Sequence, residues 1–121
     1  MADRTNEKIL SNIKKRPYFM ADNFVLYQGD SLKLLQQLPE NSIDMIFADP
    51  PYNLSNGGFS VHAGKMVSVN KGDWDKSRGF DIDYEFHYKW LEACKRVLKP
   101  NGTLWVSGTY HSIYQCGFAL Q

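Results

Sequence analysis

The chain has 121 residues, of which 43% are hydrophobic and 14% aromatic, and its net charge is +1. This composition excludes an intrinsically disordered chain, and the length suits one modest domain but is short for a complete α/β enzyme. No apolar stretch reaches the roughly 18 residues of a membrane-spanning helix, and residues 1–8 lack the apolar core of a secretory signal, so we expect a cytoplasmic protein without a membrane anchor. Cys94 and Cys116 lack metal-ligand spacing, which predicts buried thiols and no metal site.

The first predicted elements are a strand, a helix and a second strand. After a polar and basic segment over 1–22, the apolar run at 23–27 is typical of a buried parallel strand. Leucines at helical spacing predict a helix over 31–38, which Asp30 or Ser31 can cap. The apolar run at 43–48 predicts the second strand.

The second half of the chain begins with a predicted loop. Residues 53–79 are rich in Gly, Ser, Asn and Lys, and a loop of this length is typical of a segment that lies over a substrate. An amphipathic helix is predicted over 81–98, a strand over 103–107 and the start of another helix from Thr109. This alternation predicts an α/β fold with a partial doubly wound, Rossmann-like parallel sheet. Ligands bind outside the carboxyl ends of such strands.

The tetrapeptide Asp49-Pro50-Pro51-Tyr52 directly follows the second predicted strand. The chemistry of this segment suits an exocyclic amine. The Asp49 carboxylate and the Pro50 carbonyl can accept the two amino hydrogens, which favours a pyramidal nitrogen. The lone pair of that nitrogen can then attack a methyl donor in an in-line displacement. The prolines fix φ at about −65°, and Tyr52 offers a face on which an extruded base can stack. This chemistry requires neither a metal ion nor a covalent nucleophile. The structural alternative is a turn that Asp49 caps without a catalytic purpose.

Four segments resemble one known family. Residues 27–31, 43–53, 74–75 and 98–104 are similar to the amino-terminal part of β-class DNA adenine-N6 methyltransferases of restriction-modification systems, and residues 53–75 are particularly similar to DpnA-type enzymes that modify GATC. The resemblance implies a class I methyltransferase fold, S-adenosylmethionine as methyl donor, DNA as substrate and a functional partnership with a restriction endonuclease.

The resemblance also implies roles for individual residues. It makes Asp49, Pro50, Pro51 and Tyr52 the target-amine site, and Asp30 a contact to the adenine end of S-adenosylmethionine. It places the loop over the target strand, with DNA contacts from five residues: Asn53, Ser55, Asn56, Lys65 and Lys71. Residues 23–121 would form a partial catalytic domain, because the Phe-x-Gly-x-Gly cofactor loop of this family is absent from the chain. We therefore expect a truncated product that binds the cofactor weakly or not at all.

Three functions stay open at this point. The first is adenine-N6 methylation of DNA, with GATC as the expected site. The second is cytosine-N4 methylation of DNA or adenine methylation of RNA, which need the same amine geometry; cytosine-N4 relatives more often carry serine in the first position of the motif, so Asp49 favours adenine. The third is a non-catalytic nucleic-acid-binding fragment without its cofactor half.

Overall fold

The computed structural model describes residues 4–55, 59–68 and 70–121. It confirms a mixed α/β architecture, and within these ranges the strands form three two-stranded sheets. None of the helices in these ranges has the length and apolar character to cross a bilayer. The elements in chain order are α1 (Arg4–Leu10), β1 (Phe19–Ala21), β2 (Phe24–Leu26), α2 (Ser31–Leu35), β3 (Ile43–Ala48), β4 (Phe59–His62), β5 (Lys65–Ser68), a 3-10 turn (Asp73–Asp75), α3 (Phe80–Val97), β6 (Leu98–Val106) and α4 (Ile113–Ala119).

Strands β3 and β6 form the parallel sheet. Backbone hydrogen bonds join Ser42 N to Val97 O at 2.8 Å and Ser107 N to Ala48 O at 2.9 Å, so both strands run in the same direction. The predicted strand 103–107 begins earlier than expected, at Leu98, and includes the Lys-Pro-Asn-Gly segment. Gly102 permits this pairing, because a Cβ there would lie 3.2 Å from the Asp44 carbonyl oxygen.

The chain divides into two compact units, and the first comprises residues up to Ile46 together with Glu92–Thr103. Asp30 caps α2 as predicted, since its Oδ1 accepts hydrogen bonds from Leu32 N at 3.0 Å and Lys33 N at 3.4 Å. At the other end of α2, the Arg96 guanidinium donates to the carbonyl oxygens of Leu35 and Leu38 at 2.8 and 2.9 Å. The Leu35 carbonyl also accepts from Leu38 N at 3.1 Å, so Arg96 adds a charged donor to the turn that follows α2.

The prediction of a buried parallel strand at 23–27 was wrong. Phe24–Leu26 pairs antiparallel with Phe19–Ala21, and both Phe24 and Leu26 are exposed. The polar pair Asp22-Asn23 closes a two-residue turn, so the apolar run folds back on the residues just before it instead of entering a larger sheet. The segment 1–22 therefore contains a helix and a strand, while the domain boundary after residue 22 stays a prediction.

The second unit comprises Phe47–Leu91 and Leu104–Gln121. Helix α3 contributes Trp90 and the fully buried His87 to its core, and α4 contributes Cys116. Nδ1 of His87 accepts a hydrogen bond from Trp90 Nε1 at 3.0 Å and lies 3.4 Å from Cys116 Sγ. Burial lowers the pKa of His87, although the charge of Asp83 acts in the opposite direction.

Cys94, in the first unit, and Cys116 are both buried free thiols, as predicted.

The segment 53–79 was predicted to be a loop throughout, and this was wrong. It contains the antiparallel hairpin β4–β5, with His62 opposite Lys65, and the 3-10 turn Asp73–Asp75. Ala63 and Gly64 have φ values of 49° and 76°, the left-handed pair that a two-residue hairpin turn requires. Every residue of β5 is exposed, so its sequence lacks the alternation of apolar and polar residues by which strands are recognised.

Candidate active site

The Asp-Pro-Pro-Tyr segment begins where β3 ends, within the second unit. Asp49 directly follows Ala48, the last residue of β3, and Ser107 directly follows Val106, the last residue of β6. Because the two strands are parallel neighbours, their carboxyl ends meet at one edge of the sheet. The predicted position of the tetrapeptide at a strand end is confirmed.

Two hydroxyl groups converge on one oxygen of Asp49. Oδ1 accepts a hydrogen bond from Ser107 Oγ at 2.6 Å and another from the hydroxyl of Tyr52. Each hydroxyl has one proton and a second acceptor within reach, since Tyr52 can donate to Ser107 Oγ at 2.9 Å and Ser107 to the Ala48 carbonyl at 3.2 Å, but Oδ1 is the nearest acceptor of both. Among the described residues no hydrogen bond reaches Oδ2. One carboxylate oxygen is thus fixed by the protein and the other is available to a ligand.

These contacts also set the charge of the site. The hydrogen bond from Ser107, followed by that from Tyr52, lowers the pKa of Asp49; the small loss of hydration opposes this effect and the charge of Lys71 adds to it. Asp49 is therefore ionised at neutral pH, and an ionised carboxylate acts only as a hydrogen-bond acceptor.

The backbone after the prolines turns through a left-handed residue. Asn53 has a φ of 57°, a conformation that asparagine tolerates better than most residues. Successive N–H groups around such a residue point to the same side and form a concave site for an anion. Here the three N–H groups belong to Tyr52, Asn53 and Leu54.

The carboxylate of Asp75 occupies this concave site. Its Oδ1 accepts from Tyr52 N at 2.9 Å and Asn53 N at 3.0 Å, and its Oδ2 accepts from Leu54 N at 3.1 Å and Ser55 Oγ at 2.9 Å. Asp75 has 0% of its surface exposed. Burial alone would raise the pKa of Asp75, but the hydrogen bonds from Ser55 and the three backbone groups outweigh it and lower the pKa below its ordinary value.

Lys71 connects this network to the Tyr52 ring. Its backbone N donates to Ser55 Oγ at 2.7 Å, and its side-chain Nζ lies 5.4 Å from the centroid of the Tyr52 ring. That distance is within the range of a cation–π contact. The lysine for which the family resemblance implies a DNA contact therefore lies over the ring for which the sequence predicts base stacking.

The remaining predicted site residues lie in different surroundings. Asn53 and Ser55 are buried, Lys65 is exposed at the start of β5, and Asp30 lies at the N-cap of α2 in the first unit. Asn56 lies outside the described residues. The contacts of Asn53, Ser55, Asn56, Lys65 and Lys71 with DNA and that of Asp30 with a cofactor stay predictions.

Two residues of the site carry contacts that sequence reasoning missed. The sequence predicts Ser107 at the same sheet edge as Asp49 but gives it no contact, and it identifies Asp75 only as half of the Trp-Asp pair that contributes to the family resemblance. The signal for Ser107 was its place at the same sheet edge as Asp49. The four donors to Asp75 leave no sequence signal of their own, because three of them are backbone groups.

The sequence is similar to those of known proteins. Residues 43–121 match the model of the N6/N4 methyltransferase family, described as DNA methylase. The Type II methyltransferase M2.LlaDCHI of Lactococcus lactis subsp. cremoris is 52% identical over 106 residues, which cover 88% of this chain and 39% of the relative. M2.DpnII of Streptococcus pneumoniae is 51% identical over 106 residues (88% and 40%), and M2.MboI of Moraxella bovis is 45% identical over 108 residues (88% and 40%).

The chain spans about two fifths of the length of these relatives. The family match begins at Ile43, the first residue of β3, and extends through Asp49, Asp75 and Ser107. It thus includes every residue of the hydrogen-bonded site around Asp49. On this evidence the chain belongs to the N6/N4 DNA methylase family.

Proposed function

We propose that this chain forms the target-amine part of a site-specific DNA adenine-N6 methyltransferase, which uses S-adenosylmethionine and acts in a restriction-modification system in the cytoplasm. The observation that carries the proposal is the exposed Asp49 carboxylate at the end of a parallel strand, with Oδ1 fixed by two hydroxyls and Oδ2 without a hydrogen bond from the residues that the structure describes. Family membership supports it, as do three relatives that are named Type II methyltransferases. The parallel β3–β6 pair is consistent with a Rossmann-like class I fold.

The proposed chemistry begins with the adenine amine. Its lone pair is delocalised into the ring, so N6 is a weak nucleophile until two acceptors hold its hydrogens and favour a pyramidal nitrogen. In our proposal Asp49 Oδ2 accepts one hydrogen and the Pro50 carbonyl accepts the other. Positive charge develops on the nitrogen during transfer, and the fixed negative charge of Asp49 stabilises it. Because its pKa is lowered, Asp49 remains an acceptor and the released proton passes to solvent.

The methyl donor needs contacts of its own. When bound, S-adenosylmethionine supplies an electrophilic methyl group, and transfer to the amine leaves a thioether and releases one amine proton. Asp30 is the proposed contact to its adenosine part. Oδ1 of Asp30 is used by the cap of α2, but Oδ2 lies 4.0 Å from Lys33 Nζ and the side chain is 53% exposed. One carboxylate oxygen of Asp30 is therefore accessible to a hydroxyl donor such as a ribose.

In our proposal the target base stacks on the face of the Tyr52 ring that Lys71 covers, which requires Lys71 to move. A base stacked on an aromatic ring is worth about 1–3 kcal/mol, whereas an exposed cation–π contact is worth about 0.5–1 kcal/mol. The target base therefore displaces the ammonium group from the ring. In our proposal the displaced Lys71 then contacts a DNA phosphate.

A methyl-transfer assay tests the proposed function. Tritium incorporation from labelled S-adenosylmethionine is measured on GATC-containing duplex, on single-stranded DNA and on DNA without GATC. Where the protein binds the donor, we expect incorporation by the wild type, and loss of at least about 100-fold in Asp49→Ala, the scale for removing a group that stabilises transition-state charge. The matched control is Asp44→Ala, which removes an 81% exposed carboxylate from β3, the strand that precedes Asp49. Equal incorporation by the wild type and Asp49→Ala would refute the mechanism.

The product and the binding behaviour decide between the alternatives. Mass spectrometry of digested DNA separates N6-methyladenine from N4-methylcytosine, and an RNA substrate tests the third possibility. Titration calorimetry with S-adenosylmethionine tests whether this chain binds the donor. Salt-sensitive DNA binding without donor binding would instead indicate a non-catalytic nucleic-acid-binding module.

A further inference from the structure

Asp75 is buried beside the target-amine site, and the proposed chemistry gives it no role. We propose that Asp75 is a positioning residue, whose carboxylate fixes the backbone after Pro51 and thereby holds the Tyr52 hydroxyl on Asp49. This inference rests on the proposed function and goes beyond it, because it assigns part of the catalytic geometry to a residue 23 positions away from Tyr52.

The carboxylate of Asp75 is fully occupied by hydrogen bonds. A buried charge is costly unless hydrogen bonds compensate it, and Asp75 accepts four, at 2.9 to 3.1 Å. Three of the donors are consecutive backbone N–H groups, so the carboxylate contacts the main chain itself and not merely one mobile side chain. It therefore acts on the conformation of the segment that follows Pro51.

The backbone from Tyr52 to Leu54 needs an anion. The left-handed conformation of Asn53 turns three N–H groups towards one point, and N–H groups that are buried without an acceptor destabilise a structure. An acceptor with two oxygens at that point satisfies all three. Without it, the segment would relax to a conformation in which these groups reach other acceptors or water.

Tyr52 connects this backbone to the proposed chemistry at Asp49. Tyr52 contacts both carboxylates, since its backbone N–H donates to Asp75 Oδ1 and its hydroxyl donates to Asp49 Oδ1. A shift of the Tyr52 backbone therefore moves the hydroxyl away from Asp49. A misplacement of about 1 Å at a reacting centre costs on the order of 100-fold in rate. The carboxylate of Asp75 thus controls the position of the Tyr52 hydroxyl, which it does not itself contact.

Ser55 extends the same control to Lys71. Its hydroxyl donates to Asp75 Oδ2 and accepts from Lys71 N at 2.7 Å, while Lys71 Nζ lies over the Tyr52 ring. The position of Lys71 relative to the ring is therefore also determined by the network around Asp75.

The variant Asp75→Asn tests the proposal, because it preserves shape and replaces one acceptor oxygen by a donor. We expect amide hydrogen exchange, measured by NMR, to become at least about 10-fold faster at Tyr52, Asn53 and Leu54. We expect the Asp49 carboxyl to titrate closer to its ordinary pKa, because the Tyr52 hydroxyl is displaced. We expect kcat for methyl transfer to fall about 100-fold, with KM for DNA changed less than about 3-fold. The matched control is Asp73→Asn, since the Asp73 side chain is 94% exposed in the same turn and pairs only with Lys76 among the described residues.

A second variant keeps the test valid if Asp75→Asn does not fold. Ser55→Ala removes one of the four donors, so we expect the same changes in exchange and kcat at a smaller size, several-fold rather than 100-fold. Unchanged exchange at the three amides together with unchanged Asp49 titration would overturn the proposal, as would equal effects of Asp73→Asn. If the wild type binds the donor but transfers no methyl group, the proposed function fails, while exchange and titration still decide the positioning role. If the wild type is active and Asp75→Asn is equally active, only the positioning role fails.

Discussion

The Ser107 hydroxyl lies 2.6 Å from Oδ1 of Asp49, although 58 positions separate the two residues in the chain. Tyr52 reaches the same oxygen from only three positions away. The first contact depends on the pairing of β3 with β6, and the second depends on the local turn of the Asp-Pro-Pro-Tyr segment. Substitutions can therefore test the tertiary and the local contribution separately.

We predict that Ser107→Ala raises the pKa of Asp49 towards its ordinary value, because the hydrogen bond from Ser107 is the largest cause of the lowering. We expect methyl transfer to slow about 10-fold, the scale of one hydrogen bond to a charged group. The measurements are NMR titration of the Asp49 carboxyl and kcat. Ser68→Ala, which alters an exposed serine on β5, serves as control. An Asp49 titration curve that is the same in Ser107→Ala and the wild type would contradict the prediction.

A second prediction concerns the stability of the first unit. Arg96→Met keeps most of the side-chain stem but removes the donors to the Leu35 and Leu38 carbonyl oxygens. We expect the free energy of unfolding to fall by about 1–3 kcal/mol, because partly buried acceptors lose a charged partner. Urea denaturation measures the change.

Lys99→Met is the control for Arg96→Met. It breaks an ion pair with Asp44 in which the two side chains are 39% and 81% exposed. Exposed pairs contribute at most about 1 kcal/mol, so we expect a smaller loss of stability. A loss as large as that of Arg96→Met would show that the carbonyl contacts of Arg96 do not account for its effect.

A third prediction concerns pH. Burial lowers the pKa of His87 in the folded chain below its ordinary value of 6.5, so the unfolded chain binds a proton more readily. The contribution of neutral His87 to the free energy of unfolding is therefore fully present above about pH 6.5. It is lost as the pH falls from there to the folded-state pKa of His87. We expect a lower urea midpoint at about pH 5.5 than at about pH 7.5.

Two variants isolate the contribution of His87 to this pH dependence. His87→Gln removes the titrating group, so its urea midpoint should vary less with pH than that of the wild type. His62→Gln, which alters an exposed histidine at the end of β4, is measured beside it as the control for loss of a histidine outside the core. If His87→Gln and the wild type lost equal stability on acidification, another group would be responsible.

A fourth prediction concerns the two thiols. Burial raises the pKa of Cys94 to about 11 and also raises the pKa of Cys116. Because the thiolate is the reactive form, neither thiol should react appreciably with a disulfide reagent at about pH 8 in the native chain. Both should react at once in urea, which gives two labelled thiols per chain. Rapid labelling under native conditions would contradict the burial of these residues.

The parts of the fold that depend on local sequence signals were predictable. The cap at Asp30, the strand β3, the long helix α3 and the position of Asp49 at a strand end follow from neighbouring residues alone. The two hairpins were not predicted, because their strands are only three or four residues long and β1 and β5 are exposed along their whole length.

The contacts within the candidate site divide in the same way. The roles of Asp49 and Tyr52 were approached from the motif, whereas the contacts of Ser107 and Asp75 join residues 58 and 20 to 23 positions apart. Such contacts depend on the pairing of strands and on backbone donors. The residue types along the sequence indicate neither the strand pairing nor the backbone donors.

The convergence of two hydroxyls on Oδ1 makes asparagine a poor substitute for Asp49, although the two side chains have the same shape. An amide at this position would place its carbonyl oxygen where Ser107 and Tyr52 donate. Its NH2 group would then occupy the place of Oδ2 and face the target amine as donor against donor. The hydroxyl pair therefore discriminates between an acid and its own amide, and Asp49→Asn should repel an amine substrate where Asp49→Ala merely fails to hold it.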